Sequence, residues 1–260
     1  MLNSLIAAVR FLTRLPVPGR ATTVEDLPGS IAWFPLVGAL ANAAVAGIAV
    51  GLAAWWPPPM AAVLAVAGGL ILTGGFHEDA CADSADGLGG GNGDRERILM
   101  IMKDSRIGAY AGMTLWVVLA LRAAVLTALI ALPPVIAIAG FALAGAWGRW
   151  TAAPLLRLPP LASSGLAKDI AAGGSLATLL VATLLVTLLS GAAWWLGVTR
   201  APHMAGAALA ATAVWALYLK RSLGGQCGDL LGAGNLFAEA AALLALTALT
   251  AGLCQAGQAD

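Results

Sequence analysis

The sequence has few charged residues. Only 10% of its 260 residues are Asp, Glu, Lys or Arg, and 60% are hydrophobic, whereas about a quarter of the residues in a soluble domain are charged. Water is therefore not the main solvent of this chain, and the composition indicates an integral membrane protein. The net charge of +1 gives no electrostatic reason to expect nucleic-acid binding.

Cysteine is also scarce. Cys81, Cys227 and Cys254 lie far apart and form no C-x-x-C pair, which argues against a disulfide framework and against a zinc site. The N-terminus has no basic region ahead of its apolar stretch, so we expect no cleaved signal peptide. It instead predicts a short amphipathic helix at the membrane interface, with Arg10 and Arg14 near the headgroups and an apolar face of Leu2, Leu5, Ile6 and Val9.

Long apolar windows are what the chain does contain. A membrane-spanning helix needs about 20 mostly apolar residues. Seven such windows predict an all-α, polytopic helix bundle that forms one integral membrane domain over residues 1–260. They run near 32–56, 60–76, 108–132, 134–156, 175–198, 203–219 and 236–255.

The basic residues predict the orientation of this bundle. With alternate crossings, the longer loops fall on one side of the membrane, and the short turns fall on the other. The long-loop side holds eleven cations, whereas the short-turn side holds only Arg200, so the positive-inside rule predicts that the long loops are cytoplasmic. The eleven are Arg10, Arg14, Arg20, Arg95, Arg97, Lys103, Arg106, Arg157, Lys168, Lys220 and Arg221.

Nearly all carboxylates share this side, which the positive-inside rule does not require. One explanation is that only these loops are long enough to carry polar residues. The other is a polar site at the cytoplasmic surface, with a cavity between the spans that opens there. The densest acidic segment favours a site, because in a helix Asp79, Asp83 and Asp86 would lie on one face.

Three stacked carboxylates repel one another unless a cation neutralises them, and hard oxygen ligands suit Mg²⁺. The structural alternative is a solvated helix end. The glycine-rich run 87–93 that follows is predicted to be non-helical, as an anion-binding loop or a flexible connector. Residues 95–108 then predict an amphipathic helix that leads to Lys103 and Arg106, two cations able to hold phosphate.

A second polar cluster precedes the last apolar window. Its Gly-rich turn carries Gln226 and Asp229, and Glu239 follows just inside the window. Arg149, near the end of its own window, is a functional candidate because a charge within the membrane is costly, with snorkelling as the alternative. Arg122 has less support, since no polar residue is near it in the sequence.

Six segments, in order along the chain, resemble the cobalamin synthase family of adenosylcobinamide-GDP ribazoletransferases. They are FLTRLPVP (11–18), FPLVG (34–38), TGGFHED (73–79), ADSADG (82–87), MKDSRIG (102–108) and LGGQCGD (223–229). The resemblance implies a Mg²⁺-dependent transferase of the bacterial inner membrane. It would join α-ribazole, or its 5′-phosphate, to adenosylcobinamide-GDP and release GMP in cobalamin biosynthesis. Implied partners are these substrates, the lipid bilayer, and further copies of the chain or other cobalamin-assembly enzymes.

The resemblance also implies roles for residues. Asp79, Asp83 and Asp86 would bind metal, with Asp229 as a further candidate. The candidate catalytic residues are His77, Lys103, Asp104 and Arg106, of which the two cations would hold phosphate. His77 would assist deprotonation of the ribazole hydroxyl, with a structural role at a helix end as the alternative. The candidate substrate-binding residues are Arg14, Arg149, Gln226, Asp229 and Glu239.

The chain departs from the family pattern at three positions. Ala80 replaces a common glycine, Cys227 replaces the usual threonine, and Leu236 stands where a glutamate often precedes the one matching Glu239. Other enzymes with spaced aspartates on membrane helices are the CDP-alcohol phosphotransferases and the prenyltransferases, but neither accounts for the terminal motifs. A transporter would carry its charges inside repeated spans, and a scaffold would leave the aspartates unexplained.

Overall fold

The computed structural model describes residues 2–161 and 175–248, and these residues are helical throughout apart from loops and one isolated bridge between Pro160 and Gln226. Short 3-10 turns at Val24–Asp26 and Ile31–Trp33 flank α2. The α-helices are α1 (Leu2–Leu12), α2 (Leu27–Ser30), α3 (Phe34–Leu52), α4 (Pro58–Thr73), α5 (Phe76–Gly90), α6 (Arg95–Ile101), α7 (Ala109–Leu129), α8 (Pro134–Trp150), α9 (Ala152–Leu155), α10 (Leu176–Trp195), α11 (Ala201–Ser222) and α12 (Gly228–Thr247).

Six helical segments of the described chain are long and apolar enough to cross a membrane, and α4 with α5 forms a seventh, bent candidate. Proline starts several of them, because it tolerates the first turn of a helix but not its interior. Pro58 and Pro134 stand at the beginnings of α4 and α8. The predicted all-α bundle with about seven spans is thereby confirmed, and the single domain over 1–260 stays a prediction.

The core of the bundle lies between α3, α8 and α12. In the apolar 18-residue stretches of Pro134–Leu155 and Gly228–Thr247, about 70% of the residues are buried. In the corresponding stretches of α7, α10 and α11, only about 20% are buried. The peripheral helices therefore turn most of their apolar side chains outward, as lipid-facing helices do. Glycine lets α3 and α8 approach closely, since a Cβ on Gly38 would overlap the carbonyl oxygen of Gly145.

Three predicted boundaries were wrong. Helix α5 continues to Gly90, through the first four residues of the run 87–93 that was predicted to be non-helical, because α6 and α7 pack onto its glycines. A Cβ on Gly87 would collide with Met102, just after α6, and one on Gly91 would collide with Ile98 of α6. A Cβ on Gly89 would collide with the Tyr110 ring of α7. Helix α6 ends at Ile101 instead of reaching 108.

The third correction concerns the last span, which begins at Gly228 and not near 236. Asp229 therefore belongs to the first turn of α12, and Glu239 lies in the middle of that helix. Helix α1 forms where a short N-terminal helix was predicted, and it buries Ala7, Ala8 and Leu12 against the protein. Its place at the membrane interface stays a prediction.

Candidate active site

A sharp bend between α4 and α5 places the acidic helix. The two helices meet at 92°, and the two residues between them, Gly74 and Gly75, have φ values of 72° and 68°. This left-handed conformation is costly for residues other than glycine. A Cβ on Gly74 would also overlap the Arg14 guanidinium. The bend thus brings the end of α4, the start of α5 and Arg14 together.

A cavity of about 620 Å³ lies at this bend, a size within the usual range of ligand pockets. Its walls come from the end of α1 and the residues after it, the α4–α5 bend, one face of α5, the α6–α7 loop and the start of α7. Among the predicted site residues, those that line it are Arg14, Asp79, Asp83, Asp86 and Arg106. The prediction that the three aspartates share one face is confirmed.

A fourth carboxylate approaches from α12. Asp83 lies within electrostatic range of Asp79, Asp86 and Asp229, although Asp229 is not among the residues that line the cavity. Close packing of α5 on α12 brings them together, because a Cβ on Gly232 would overlap Cβ of Ala80. The carboxylates of two helices therefore meet near one end of the bundle.

These carboxylates are hard oxygen donors that suit Mg²⁺, which commonly takes one or two protein carboxylates together with substrate phosphate oxygens and water. Within the described residues, no group of three or more His, Cys, Asp or Glu side chains stands close enough to hold a metal ion. The arrangement fits a metal held by one or two aspartates and completed by substrate. The Mg²⁺ assignment stays a prediction.

Asp86 differs from the other aspartates, because both of its oxygens are engaged. Its Oδ2 accepts a hydrogen bond from the backbone N–H of Gly108 at 2.6 Å, and its Oδ1 accepts one from the N–H of Ala111 at 2.9 Å. These two donors open α7. Asp86 therefore links the acidic helix to the loop that carries Arg106.

The cations of the site occupy different positions. Arg106 is 88% exposed and is ion-paired with Asp104 at 2.6 Å. Its hydrogen bonds lower the pKa of Asp104 below the usual carboxyl range. Arg14 is exposed at the cavity and pairs with none of the described carboxylates. Lys103 is exposed but does not line the cavity.

His77 is turned away from the cavity. It is 1% exposed, its Nδ1 has no hydrogen-bond partner, and its ring contacts Phe76 edge-to-face. It lies where α5 crosses α12, since a Cβ added to Gly232 would be 3.9 Å from the Cα of His77. This position agrees with the structural alternative, and its catalytic role stays a prediction.

Two predicted substrate-binding residues lie in a cluster of buried charges and not at the cavity. Arg149 and Glu239 are 2% and 1% exposed and form an ion pair. Arg122 donates to Glu239 at 2.7 and 2.9 Å and to Glu78 at 2.5 Å, and Asn42 donates to Glu239 at 3.1 Å. Neither Arg149 nor Glu239 lines the cavity. We call these five residues the buried charge cluster.

The sequence interpretation missed most of this cluster. It gave Arg122 little weight because its neighbours in the chain are apolar, and it gave Glu78 and Asn42 no role. Glu78 is 44 residues from Arg122, and Glu239 is 117 residues away. The available signal was the count of charges inside apolar segments, since two arginines in the spans call for carboxylates to neutralise them.

Gln226 lies in the loop between α11 and α12. Its backbone pairs with the segment after α9. The N–H of Gln226 donates to the carbonyl of Pro159, and the carbonyl of Gln226 accepts from the N–H of Leu161, both at 2.8 Å. Its side chain is 0% exposed, and neither amide atom has a hydrogen-bond partner. Its predicted substrate contact is not tested. The predicted loop residues Lys168 and Asp169 lie outside the described residues.

Comparison with known proteins places the chain in a family. The profile of the cobalamin-5-phosphate synthases matches residues 4–247. The chain belongs to this family. It is 38% identical over 256 residues to an adenosylcobinamide-GDP ribazoletransferase of Klebsiella pneumoniae, covering 95% of this chain and 100% of that protein. It is 42% identical over 245 residues to the protein of that name from Leptothrix cholodnii, covering 91% and 92%. No solved structure matches.

Membership in the cobalamin-5-phosphate synthase family confirms the resemblance, and no finding favours the phosphotransferase or transporter alternatives. Two departures from the family pattern gain a physical context. Ala80 packs directly on Gly232. Leu236, where a glutamate is common, lines a small void together with Arg122 and Glu239, and Arg122 takes a carboxylate from Glu78 instead.

Proposed function

We propose that this chain transfers α-ribazole, or α-ribazole 5′-phosphate, onto adenosylcobinamide-GDP and releases GMP, giving adenosylcobalamin or its 5′-phosphate. The family match over residues 4–247 carries this proposal. The mixed carboxylate and guanidinium lining of the cavity supports it. Phosphoryl transfer depends mainly on positioning and on offsetting charge.

In this reaction a ribazole hydroxyl oxygen forms a bond to the phosphorus attached to cobinamide. The bond from that phosphorus to the bridging oxygen breaks, and GMP leaves with the electron pair. Arg14 and Arg106, which line the cavity, would bind the diphosphate and the leaving phosphate. Lys103, exposed but outside the cavity lining, would add positive charge on the same loop. The hydroxyl proton needs a base, and the residue predicted for this role, His77, is buried and does not line the cavity.

Asp79 and Asp83, with Asp229 beside them, would hold Mg²⁺ through their carboxylate oxygens. When bound, the ion supplies positive charge that stabilises the developing charge on the phosphate oxygens. The carboxylates themselves would repel a phosphate, so this acidic wall suits a diphosphate substrate only together with a cation. That requirement supports a magnesium-dependent enzyme.

We further propose a multi-pass protein of the bacterial inner membrane whose cavity faces the cytoplasm. The eleven cations of the long-loop side support this orientation, because such residues are retained on the cytoplasmic side. The cavity lies among these loops, where water-soluble nucleotides reach it.

The assignment is tested by measuring GMP release from adenosylcobinamide-GDP by the purified protein in detergent. Each acceptor is tried with Mg²⁺ and with EDTA. We expect magnesium-dependent release together with the corrinoid product, and loss of both in Asp83→Asn. Asp94→Asn is the matched control, because Asp94 caps α6 outside the cavity. If the folded protein released no GMP with either acceptor, the assignment would be wrong, and CDP-activated alcohols would be tested next.

A further inference from the structure

The hydrogen bonds of Asp86 separate it from the other acidic residues of the cavity. Both of its oxygens accept backbone N–H groups that lie 22 and 25 residues further along the chain. The carboxylates of Asp79, Asp83 and Asp229 accept no hydrogen bond from any residue between 2 and 161 or between 175 and 248. Those three have no protein donor on their oxygens, whereas each oxygen of Asp86 already accepts a backbone N–H of the segment that begins α7.

Asp86 supplies a cap that α7 lacks. The N-terminal N–H groups of a helix need acceptors, and an Asp or Ser at the N-cap usually provides one. Helix α6 follows this rule, since its N-cap Asp94 accepts from the N–H groups of Glu96 and Arg97. The N-cap of α7 is Gly108, which has no side chain to do so. The acceptor comes from α5 instead.

Space, and not backbone conformation, requires glycine at position 108. Its φ of −100° and ψ of −178° suit any residue. A Cβ there would lie 2.6 to 2.8 Å from the carboxylate atoms of Asp86, a distance that side chains do not tolerate. Gly108 therefore allows the carboxylate to reach the end of α7.

The anchored segment also forms part of the cavity. Ser105, Arg106 and Ile107 line the cavity together with the α4–α5 bend, and they follow α6 without helical structure of their own. Hydrogen bonds from Gly108 and Ala111 to Asp86 fix the end of this loop relative to α5. The position of Arg106 in the same cavity as Asp79 and Asp83 depends on that link.

We propose that Asp86 is a positioning residue and not a metal ligand. It holds the Ser105–Gly108 segment so that Arg106 meets the substrate phosphates, and the metal is left to one or two of Asp79, Asp83 and Asp229. This inference rests on the proposed function for its kinetic consequence. Its structural part, that the Asp86 carboxylate binds backbone N–H groups of α7 and not a metal, is independent of the reaction.

Metal binding is the first test, with Mn²⁺ as the probe and its EPR signal as the readout. Removing a ligand, or even a group that orients one, weakens metal binding by about tenfold or more, so we expect Asp83→Asn to do so. Asp86→Asn should leave Mn²⁺ affinity within about twofold, below that range. Loss of Mn²⁺ binding in Asp86→Asn to the same extent as in Asp83→Asn would overturn the proposal.

Kinetics provide the second test. An asparagine keeps one acceptor oxygen but turns its NH₂ toward the other N–H donor. Because small displacements of a binding group have large effects, we expect the KM for adenosylcobinamide-GDP to rise by on the order of tenfold, with the Mg²⁺ dependence unchanged. Asp94→Ala removes a cap outside the cavity, since an asparagine there would still cap α6, and it should change neither. If both substitutions raised KM equally, Asp86 would be an ordinary helix cap with no role in positioning Arg106.

Gly108→Ala keeps the proposal testable if Asp86→Asn does not fold. The added methyl group displaces the carboxylate without altering any acidic residue, so it should reproduce the rise in KM while Mn²⁺ affinity is retained. If Asp86 moved to the metal in the working enzyme, Gly108→Ala would have normal kinetics. Normal kinetics in this variant would therefore contradict the proposal.

Discussion

At the scale of single residues, the site depends on how each charge is held. Arg106 donates through Nε and Nη2 to both oxygens of Asp104, and Asp104 also accepts the backbone N–H of Arg106. Both side chains face solvent. A carboxylate in this position orients the guanidinium of Arg106. The arginine side chain therefore loses less conformational entropy when a phosphate binds.

Asp104→Asn tests whether Asp104 orients Arg106 or takes part in the chemistry. We expect the KM for adenosylcobinamide-GDP to rise several-fold, on the order of the effect of losing one preorganised charged contact, with kcat and the melting temperature unchanged. Loss of a general acid or base would instead lower kcat by about 10² or more. Steady-state kinetics distinguish the two, and a large fall in kcat would restore the predicted catalytic role.

The pH dependence of this effect follows from the pKa of Asp104. Because Arg106 lowers that pKa, the pair is intact above the ordinary carboxyl range and is lost only as the pH falls below it. The ratio of KM values between Asp104→Asn and wild type should therefore be constant between about pH 6 and 8. A ratio that changed in this interval would show that another group controls Arg106.

At the scale of elements, the crossing of α5 and α12 sets the geometry of the acidic wall. Asp79 and Asp83 are on one helix and Asp229 is on the other, and the helices touch where a Cβ on Gly232 would overlap Cβ of Ala80. Small residues at such crossings let helix backbones approach. The separation of the carboxylates is thus determined by a packing contact within three residues of each of them.

Gly232→Ala should push the two helices apart. Overpacking of this kind costs about 1–3 kcal/mol, and the shift of the aspartates should lower activity by on the order of tenfold to a hundredfold. Adding Ala80→Gly should restore activity, because it removes the opposing methyl group. It should not restore full stability, since glycine within a helix costs about 1 kcal/mol relative to alanine.

Gly191→Ala is the control for this pair of substitutions, because a Cβ on Gly191 meets nothing within 4 Å. Activity and thermal unfolding in detergent are measured for the wild type, Gly232→Ala, the double variant with Ala80→Gly, and Gly191→Ala. If the double variant were no more active than Gly232→Ala, the contact with Ala80 would not be the cause.

At the scale of the whole molecule, the buried charge cluster connects five helices. Asn42 comes from α3, Glu78 from α5, Arg122 from α7, Arg149 from α8 and Glu239 from α12. Its two arginines and two glutamates balance. Charges within a bundle are stable only when they are paired and hydrogen-bonded, so removing one partner leaves an uncompensated charge.

Glu78→Leu should therefore destabilise the bundle by about 3–5 kcal/mol. Leu236→Glu should reverse much of this loss, because Leu236 lies at the same small void as Arg122 and Glu239. Leu236→Glu alone adds an unpaired negative charge and should be destabilising. Thermal unfolding in detergent measures all three, and a double variant no more stable than Glu78→Leu would refute the exchange of carboxylates.

The orientation of the molecule in the membrane is tested with cysteine probes. In a chain without its native cysteines, Arg200→Cys should react with a membrane-impermeant maleimide in intact cells. Lys220→Cys should react only after the inner membrane is opened, because the charge bias places it in the cytoplasm. The opposite pattern would invert the proposed topology.

Local properties of the sequence determined much of this protein. Hydropathy along the chain predicted the number of spans, because the length of an apolar window is a local quantity. Helical periodicity predicted that Asp79, Asp83 and Asp86 share a face. The motifs, each a few consecutive residues, indicated the family that the comparisons then confirmed.

The tertiary structure decided what depends on distant parts of the chain. The role of Asp86 follows from Gly108 and Ala111, and that of Arg122 from Glu78 and Glu239, contacts that no periodicity encodes. Gly87, Gly89 and Gly90 are helical because α6 and α7 cover them, although their intrinsic propensity opposes a helix. Pairing and packing between helices lower the free energy of the folded state only after the elements have met, so the sequence pattern of any one element cannot show them.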